Sequence, residues 1–372
     1  MSVGKVDLLD LSFNGLSRLV VEWGQPQFRA AQIWHWMYRS LATDPEQMTN
    51  LPKELRNRLK EGAYVGELRP VSTIMADNGL TNKVLLQAVD GQAFETVLMR
   101  YAERSTICVS SQIGCPLACV FCATGQRGLV RNLTTGEITA QVMYFARKLL
   151  EQNLRVTNVV FMGMGEPMLN FDAVWQAIVN LNDRQGFALG SRRFTISTAG
   201  VVPGIERLAR ESLSVGLAIS LHASDNDLRD RLVPLNRRYP LKRLMAAGQL
   251  YIGHTGRRIS FEYALAKDVN DSEADAERTV GLLRGMLCHV NLIPLNPVPG
   301  CGYEPSPWER VLRFQRILVK GCIQTTVRVR RGGDIQAGCG QLRGLYATED
   351  RAAWNSEATE KQLNAGLGDP GD

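Results

Sequence analysis

No apolar run in the chain approaches the ~18–20 residues that a membrane helix needs, so no helical span is expected. The opening MSVGKVDLLDLSF has no basic stretch leading into an apolar core, so it is not a secretory signal, and a cytoplasmic protein is expected. No segment recurs at a fixed period, which leaves out solenoids and propellers. Eight cysteines in 372 residues are too few for a disulfide scaffold. Their clustering favours metal or redox chemistry in a reducing compartment. With 45% hydrophobic and 22% charged residues, wholesale disorder is also excluded. The net charge of +6 suits a polyanion such as RNA, and equally an Arg-rich solvated surface.

What is present centres on CVSSQIGCPLACVFC, residues 108–122, which holds four of the eight cysteines. Cys115, Cys119 and Cys122 follow C-x3-C-x2-C. Three thiolates on one loop grip a soft metal centre and fall one short of a closed four-thiolate site. That points to an iron–sulfur cluster with one iron open to a non-protein ligand. The competing reading is zinc, with His222 or another cysteine as fourth ligand.

Residues 1–70 read as a helical accessory domain. FRAAQIWHWMYRSL from Phe28 spaces Ile33, Trp34, Met37 and Tyr38 as one helix face, and LPKELRNRLKEG forms a second helix after Pro52. The interleaved basic residues fit either an RNA-contacting module or a plain packing face. Residues 71–105 read as a β-hairpin extension, with two strand runs about Asp90-Gly91. Glu95 lies on the second arm, where an acidic side chain is ordinarily solvated.

From 106 to about 331 strands and helices alternate, within a domain of residues 106–348 that ends in the Cys339 loop: TICVSS, NVVFMGMG, FTISTAG, LAISLHA, RISFEYALA and VNLIPLNPV, then TTVRVR. Thr134 and Glu137 make a capping box ahead of the clearest helix. Six βα units predict an α/β fold with a parallel sheet, either a barrel or an open doubly wound sheet. Functional residues are expected at the carboxyl ends of the strands. Cys115, Gly165, Glu166, Ser197, Ser220, Leu221, His222 and Asn296 lie there. In GMGEP, Gly163 and Gly165 would let a ligand approach the backbone, and Glu166 could accept from an ammonium group. Cys339, between two glycines, reads as an accessible thiol, whereas the bland reading of Cys108 and Cys339 is a pair of inert thiols. Residues 349–372 are polar and aperiodic and read as a loose tail.

The cysteine spacing, with Phe121 before the last cysteine, resembles the radical S-adenosylmethionine superfamily. TICVSSQIGCPLACVFCATG, FMGMGEPMLN, STAGVVPGI, ISLHA, NLIPLNPVPG and DIQAGCGQLRG are similar, in order and wording, to the RlmN/Cfr family of RNA adenine methyltransferases. QPQFRAAQIWHWMY and MTNLPKELR extend the likeness into the N-terminal module, and FETVLMRY resembles the RlmN branch.

The resemblance implies a partial (β/α)6 barrel carrying a [4Fe-4S] cluster on Cys115, Cys119 and Cys122, with two S-adenosylmethionine molecules used per turnover. Gly165, Glu166, Ser197, Ser220, Leu221, His222 and Asn296 would contact S-adenosylmethionine. Cys339 would accept a methyl group and lose a hydrogen from it to a 5′-deoxyadenosyl radical. The resulting methylene radical would add to an adenine carbon. Glu95 would remove the ring proton, and Cys108 would attack the sulfur of Cys339, releasing the base as a transient disulfide forms. The implied substrates are 23S rRNA and tRNA, modified at C2 of adenosine. A flavodoxin or ferredoxin would be the electron donor, and the chain would be a monomer without a membrane partner. Arg192, Arg193, Arg328, Arg330 and Arg331 are candidates for phosphates. RRGGDIQAGC departs from the common wording at Gln336, which touches loop positioning. Cys288, Cys301 and Cys322 receive no role. The rivals are methylation at C8 by the same cysteines, a non-catalytic iron–sulfur RNA-binding protein and a zinc-binding RNA module.

Overall fold

The computed structural model describes residues 4–298, 300–328, 338 and 340–342. The loop that carries Cys339, with Arg330, Arg331 and Gln336, lies outside them, as do residues 349–372.

β1 (Val6–Asp7) is followed by helices α1 (Phe13–Glu22), α2 (Phe28–Tyr38) and α3 (Lys53–Gly62), and β2 (Ala63–Tyr64) pairs back onto β1 in parallel. Ser12 caps α1 by accepting from the Gly15 N–H, and α3 begins directly after Pro52. The face of α2 carrying Ile33, Trp34, Met37 and Tyr38 is buried, with Phe13 edge-on to Trp34 at 5.6 Å. This apolar stripe is therefore a packing face. It belongs to the same hydrophobic core as the rest of the chain. Polar ties reinforce the contact: Asp10 accepts from the Gly136 N–H at 2.6 Å, and Asn180 donates to the Leu11 carbonyl at 3.0 Å.

The extension has three strands rather than a hairpin's two. β3 (Arg69–Ala76), β4 (Thr81–Gln87) and β5 (Ala93–Arg100) pair antiparallel, with Gly91 at φ +85° in the turn between β4 and β5. β3 is a half-exposed edge strand that tolerates Pro70, and so it lacks the clean apolar alternation that marks a strand in sequence. β5 then pairs antiparallel with β6 (Ser105–Cys108), so the extension continues the main sheet.

β6 is the first of seven strands that run parallel in the main sheet among the described residues. After it come β7 (Gln112–Gly114), α4 (Ala123–Gln126), β8 (Leu129–Asn132) and α5 (Thr135–Leu150), whose Thr134–Glu137 capping box is formed. The strands β9 (Asn158–Phe161), β10 (Phe194–Thr198), β11 (Gly216–Ser220), β12 (Ile259–Leu265), β13 (Cys288–Pro294) and β14 (Thr325–Val327) follow. The connecting helices are α6 (Phe171–Asn182), α7 (Val202–Leu208), α8 (Asn226–Leu232), α9 (Leu241–Thr255), α10 (Glu273–Leu283) and α11 (Trp308–Lys320). The order β6-β9-β10-β11-β12-β13-β14 sets each strand beside its predecessor. This sequential order is that of an open barrel; a doubly wound sheet reverses direction at a switch point. Alternation decides the two faces. Phe194, Ile196 and Thr198 of β10 are buried, while Thr195 and Ser197 are half-buried and line the barrel interior.

Candidate active site

The three-cysteine loop leaves the carboxyl end of β6 through β7, which pairs with β8. Gly114, at φ +76°, allows this: a Cβ there would lie 2.0 Å from the Gly128 carbonyl, which also accepts from the Cys115 N–H at 2.9 Å. Cys122 starts α4, and its N–H donates to the Cys119 carbonyl at 3.1 Å. All three thiols line one largely apolar cavity at the strand ends. Burial pushes the Cys115 thiol up to about 12, and neighbouring Cys122 and Glu166 push the same way. Cys119 is raised too, first by burial. Thiols in such a place ionise when a cationic centre binds them.

The cavity's other walls come from successive strand ends: Gly163, Gly165 and Glu166 after β9, Ser197 from β10, Ser220 and His222 from β11, and Asn296 after β13. Leu221 is buried in the core and does not line it. The glycines of GMGEP serve the chain's own packing. A Cβ on Gly163 would stand 2.7 Å from both Ser110 Oγ and the Val109 carbonyl, and one on Gly165 would stand 2.5 Å from Gln112 Cβ. Tight seating of this segment on the β6–β7 chain demands glycine, and both glycines also line the cavity.

Glu166 is fully buried. Its Oε1 accepts from the Met168 N–H at 3.1 Å and its Oε2 from the Ala199 N–H at 2.8 Å. Burial raises its carboxyl to about 7 against the pull of those two amides. The Thr198 side chain hydrogen-bonds the same carboxyl and also pulls it down. His222 holds the left-handed φ of +57°, and its Nδ1 accepts from the Ala264 N–H at 3.0 Å, so the neutral ring carries its proton on Nε2. Burial, with Arg229 nearby, lowers its pKa to about 3. Phe121 of the cysteine loop packs edge-on against this ring at 4.7 Å.

A second cavity, of about 690 Å³, fills the barrel interior and extends towards the amino ends of the strands. Met162, Glu262, Ile293 and Asn296 line both cavities, so the two are neighbours with shared walls. Cys108 lines the interior cavity. Glu95 faces the same side of the sheet, because Val97 pairs with Cys108 and residues two apart share a face. It is buried, and its Oε1 lies 3.0 Å from Nζ of Lys83, itself buried. The solvated reading of Glu95 does not hold. Gly338 lines the interior cavity and Gly340 the cysteine cavity, so the two residues flanking Cys339 stand one in each. Gly340 accepts from the Ala123 N–H at 2.7 Å and the Leu342 carbonyl accepts from Thr124 Oγ1 at 2.6 Å, tying this segment to the residues after Cys122.

Sequence reasoning passed over Arg229, Lys83, Glu262 and Asn291. Arg229 is completely buried although its stretch, DNDLRDRL, is mostly charged and polar. It donates to the carbonyls of Ala199 at 2.7 Å, Ser220 at 2.9 Å and Leu221 at 3.0 Å, clamping the ends of β10 and β11. Arg192 and Arg193 are exposed just before β10, at the amino rim of the barrel. Arg328 lines the interior cavity.

A C-x3-C-x2-C loop at the first strand end of an open parallel barrel, with a Gly-Glu segment at the next, defines a radical S-adenosylmethionine enzyme, and the Radical SAM superfamily model matches residues 109–279. Such enzymes hold a [4Fe-4S] cluster and S-adenosylmethionine; three thiols sharing one cavity beside a buried carboxylate fit that pair. The N-terminal domain model of ribosomal RNA large subunit methyltransferases, RlmN_N, matches residues 6–65. The chain is 50% identical over 351 residues to a protein of Chloroflexus aurantiacus named "Probable dual-specificity RNA methyltransferase RlmN", covering 91% of this chain and 93% of that one. It is 47% identical to the dual-specificity RNA methyltransferase RlmN of Magnetococcus marinus, covering 91% and 95%. A radical SAM methyltransferase of Sphaerobacter thermophilus, solved by crystallography, superposes with a TM-score of 0.90 at 51% identity, over 91% of this chain and 100% of that one. The chain belongs to the RlmN family of radical SAM RNA methyltransferases.

Proposed function

We propose that the chain methylates C2 of an adenosine in 23S rRNA, and in tRNA, with the base received in the barrel interior. The observation that carries this reading is the cavity of about 690 Å³ that shares walls with the cysteine cavity and has Cys108 in its lining. Its size suits a nucleobase with room for its sugar. Arg104, Arg155, Arg192, Arg193 and Arg258 stand just ahead of β6, β9, β10 and β12, around the amino rim through which a strand of RNA would reach that cavity. Their charge would hold phosphates and position the base.

When bound, the cluster and S-adenosylmethionine supply the methyl group and the radical that activates it. Cys115, Cys119 and Cys122 hold the cluster, and Gly165, Glu166, Ser197, Ser220, His222 and Asn296 surround S-adenosylmethionine, with the Leu221 backbone held by Arg229 beside them. Cys339 carries the methyl group to the base. Glu95, steadied by Lys83, takes the ring proton. Cys108, as a thiolate, attacks the sulfur of Cys339; the S–C bond breaks with its electron pair on the product carbon, which takes up a proton, and the disulfide forms. An external dithiol then resets the pair. The chain works as a cytoplasmic monomer and draws electrons from a flavodoxin or ferredoxin. The RlmN-like wording around Glu95 favours C2 over C8.

Anaerobically reconstituted protein, incubated separately with 23S rRNA and tRNA fragments, is expected to yield 2-methyladenosine from both on nucleoside analysis. 8-Methyladenosine alone would overturn the assignment. Unchanged methylation by Cys339→Ala would remove the methyl-carrying thiol from the scheme.

A further inference from the structure

A row of polar side chains crosses the barrel where the two cavities meet. Strand register pairs Ser220 with Glu262, Glu262 with Asn291, and Asn291 with Thr326. Ser220 lines the cysteine cavity, Asn291 and Thr326 line the interior one, and Glu262 lines both. Thr326 Oγ1 donates to Asn291 Oδ1 at 2.6 Å and lies 3.2 Å from His289 Nε2, and the Asn291 amide nitrogen donates to Glu262 Oε1 at 2.9 Å. Oε1 is thereby an acceptor. Oε2 is buried and has no hydrogen-bond partner among the described residues.

A carboxyl oxygen buried without a partner is costly unless a ligand satisfies it. Glu262 is only 6% exposed. Burial raises its carboxyl pKa, with the Asn291 hydrogen bond and the charge of Arg328 opposing. The neutral form therefore places its proton on Oε2, the oxygen not accepting from Asn291. A buried carboxylic acid kept neutral is a hydrogen-bond donor. In adenosine the ring nitrogens N1 and N3, which flank C2, are acceptors only. A hydrogen bond given to either draws electron density from that carbon and favours addition of a carbon radical to it.

We propose that Glu262 donates a hydrogen bond through Oε2 to a ring nitrogen of the target base, beside the carbon that is methylated. Asn291 and Thr326 are its positioning residues. The assignment rests on the reading of the interior cavity as the site of an adenine.

The test compares wild type, Glu262→Gln, Glu262→Ala and Asn291→Ala on one RNA fragment, measuring methylated adenosine and 5′-deoxyadenosine together. In Glu262→Gln the side-chain oxygen must face the Asn291 amide, which leaves an N–H donor where Oε2 was. It is expected to keep methylation within about 10-fold of wild type. Glu262→Ala is expected to lose about 100-fold in kcat, the scale of a lost preorganised donor. It should also form several times more 5′-deoxyadenosine per methyl group transferred. Asn291→Ala, which frees the carboxyl without removing it, is expected to fall about 10-fold, the loss of one modest hydrogen bond, with the same rise in that ratio. Methylation by Glu262→Ala within 3-fold of wild type would overturn the proposal, as would Glu262→Gln falling as far as Glu262→Ala. A fall in affinity for S-adenosylmethionine at an unchanged ratio would give the oxygen to the cofactor and likewise overturn it. Wild type that methylates no adenosine would sink the underlying reading instead, a result distinct from all of these.

Discussion

Replacing Lys83 by Met isolates what holds Glu95 in place. Lys83 and Glu95 are 2% and 1% exposed, on neighbouring strands of the antiparallel extension, with Nζ 3.0 Å from Oε1. Two charges withdrawn from water this far survive through their mutual attraction. Lys83→Met takes from Glu95 the cation 3.0 Å away, and losing one partner of a buried pair typically costs ~3–5 kcal/mol. Met keeps most of the lysine stem's volume, so little of the loss would come from packing. Set against a net stability of ~5–15 kcal/mol, the change is large enough to read from urea unfolding. The double variant Lys83→Met with Glu95→Leu replaces the pair by apolar groups and should recover most of the loss, because the desolvation of both charges disappears together. The cycle therefore gives a positive coupling of ~3 kcal/mol or more. Methylation by Lys83→Met should fall as well, in kcat more than in KM, since Glu95 would lose its fixed orientation. If Lys83→Met unfolds within 1 kcal/mol of wild type, or the cycle shows no coupling, the ion pair does not hold Glu95, and its role as a positioned base loses its support.

Three further outcomes follow from contacts already described. Gly163→Ala would press a Cβ to 2.7 Å from the Val109 carbonyl, and backbone cannot yield cheaply, so a loss of ~1–3 kcal/mol is expected in thermal unfolding. Arg229→Met would strip donors from three buried carbonyls, those of Ala199, Ser220 and Leu221, costing ~3 kcal/mol or more by denaturant titration; a change under 1 kcal/mol would show that water replaces the guanidinium. Asp7 is held up at about 7 from 3.8, mainly by burial, while the amides of Gly66 and Leu9 pull it down. The folded state thus binds this proton more tightly than the unfolded chain does, so the carboxyl takes away stability as pH rises from about 4 to 7. Asp7→Asn keeps an acceptor for both amides and should be more stable than wild type at pH 8 by up to ~4 kcal/mol. That gain should shrink to nothing near pH 4, and a gain that does not vary with pH would disprove the linkage.

Much of the fold was legible because it rests on local periodicity. The α2 stripe, the Thr134 capping box, the Asp90-Gly91 turn and the alternating strands and helices all form as their spacing dictates. β3 was missed because an edge strand with one exposed face carries little apolar signal. Glu95 looked solvated because the sequence near it does not show that Lys83 stands on the next strand, on the same face. Arg229 drew no reading at all, since nothing local indicates that three carbonyls from two strand ends converge on it.

The sequence by itself carried the thiol triad, whose three residues lie on one loop, and the Gly-Glu segment after the next strand of the sheet. It also determined, through the order of its motifs, the family to which the chain belongs. Only the tertiary structure decided which distant residues share the reaction chamber. Glu262, Asn291 and Thr326 are separated by 29 and 35 positions, and they form one row because parallel strands pair in a particular register. Register is a property of how whole βα units pack, and a slip of one residue would have turned each of these side chains to the opposite face.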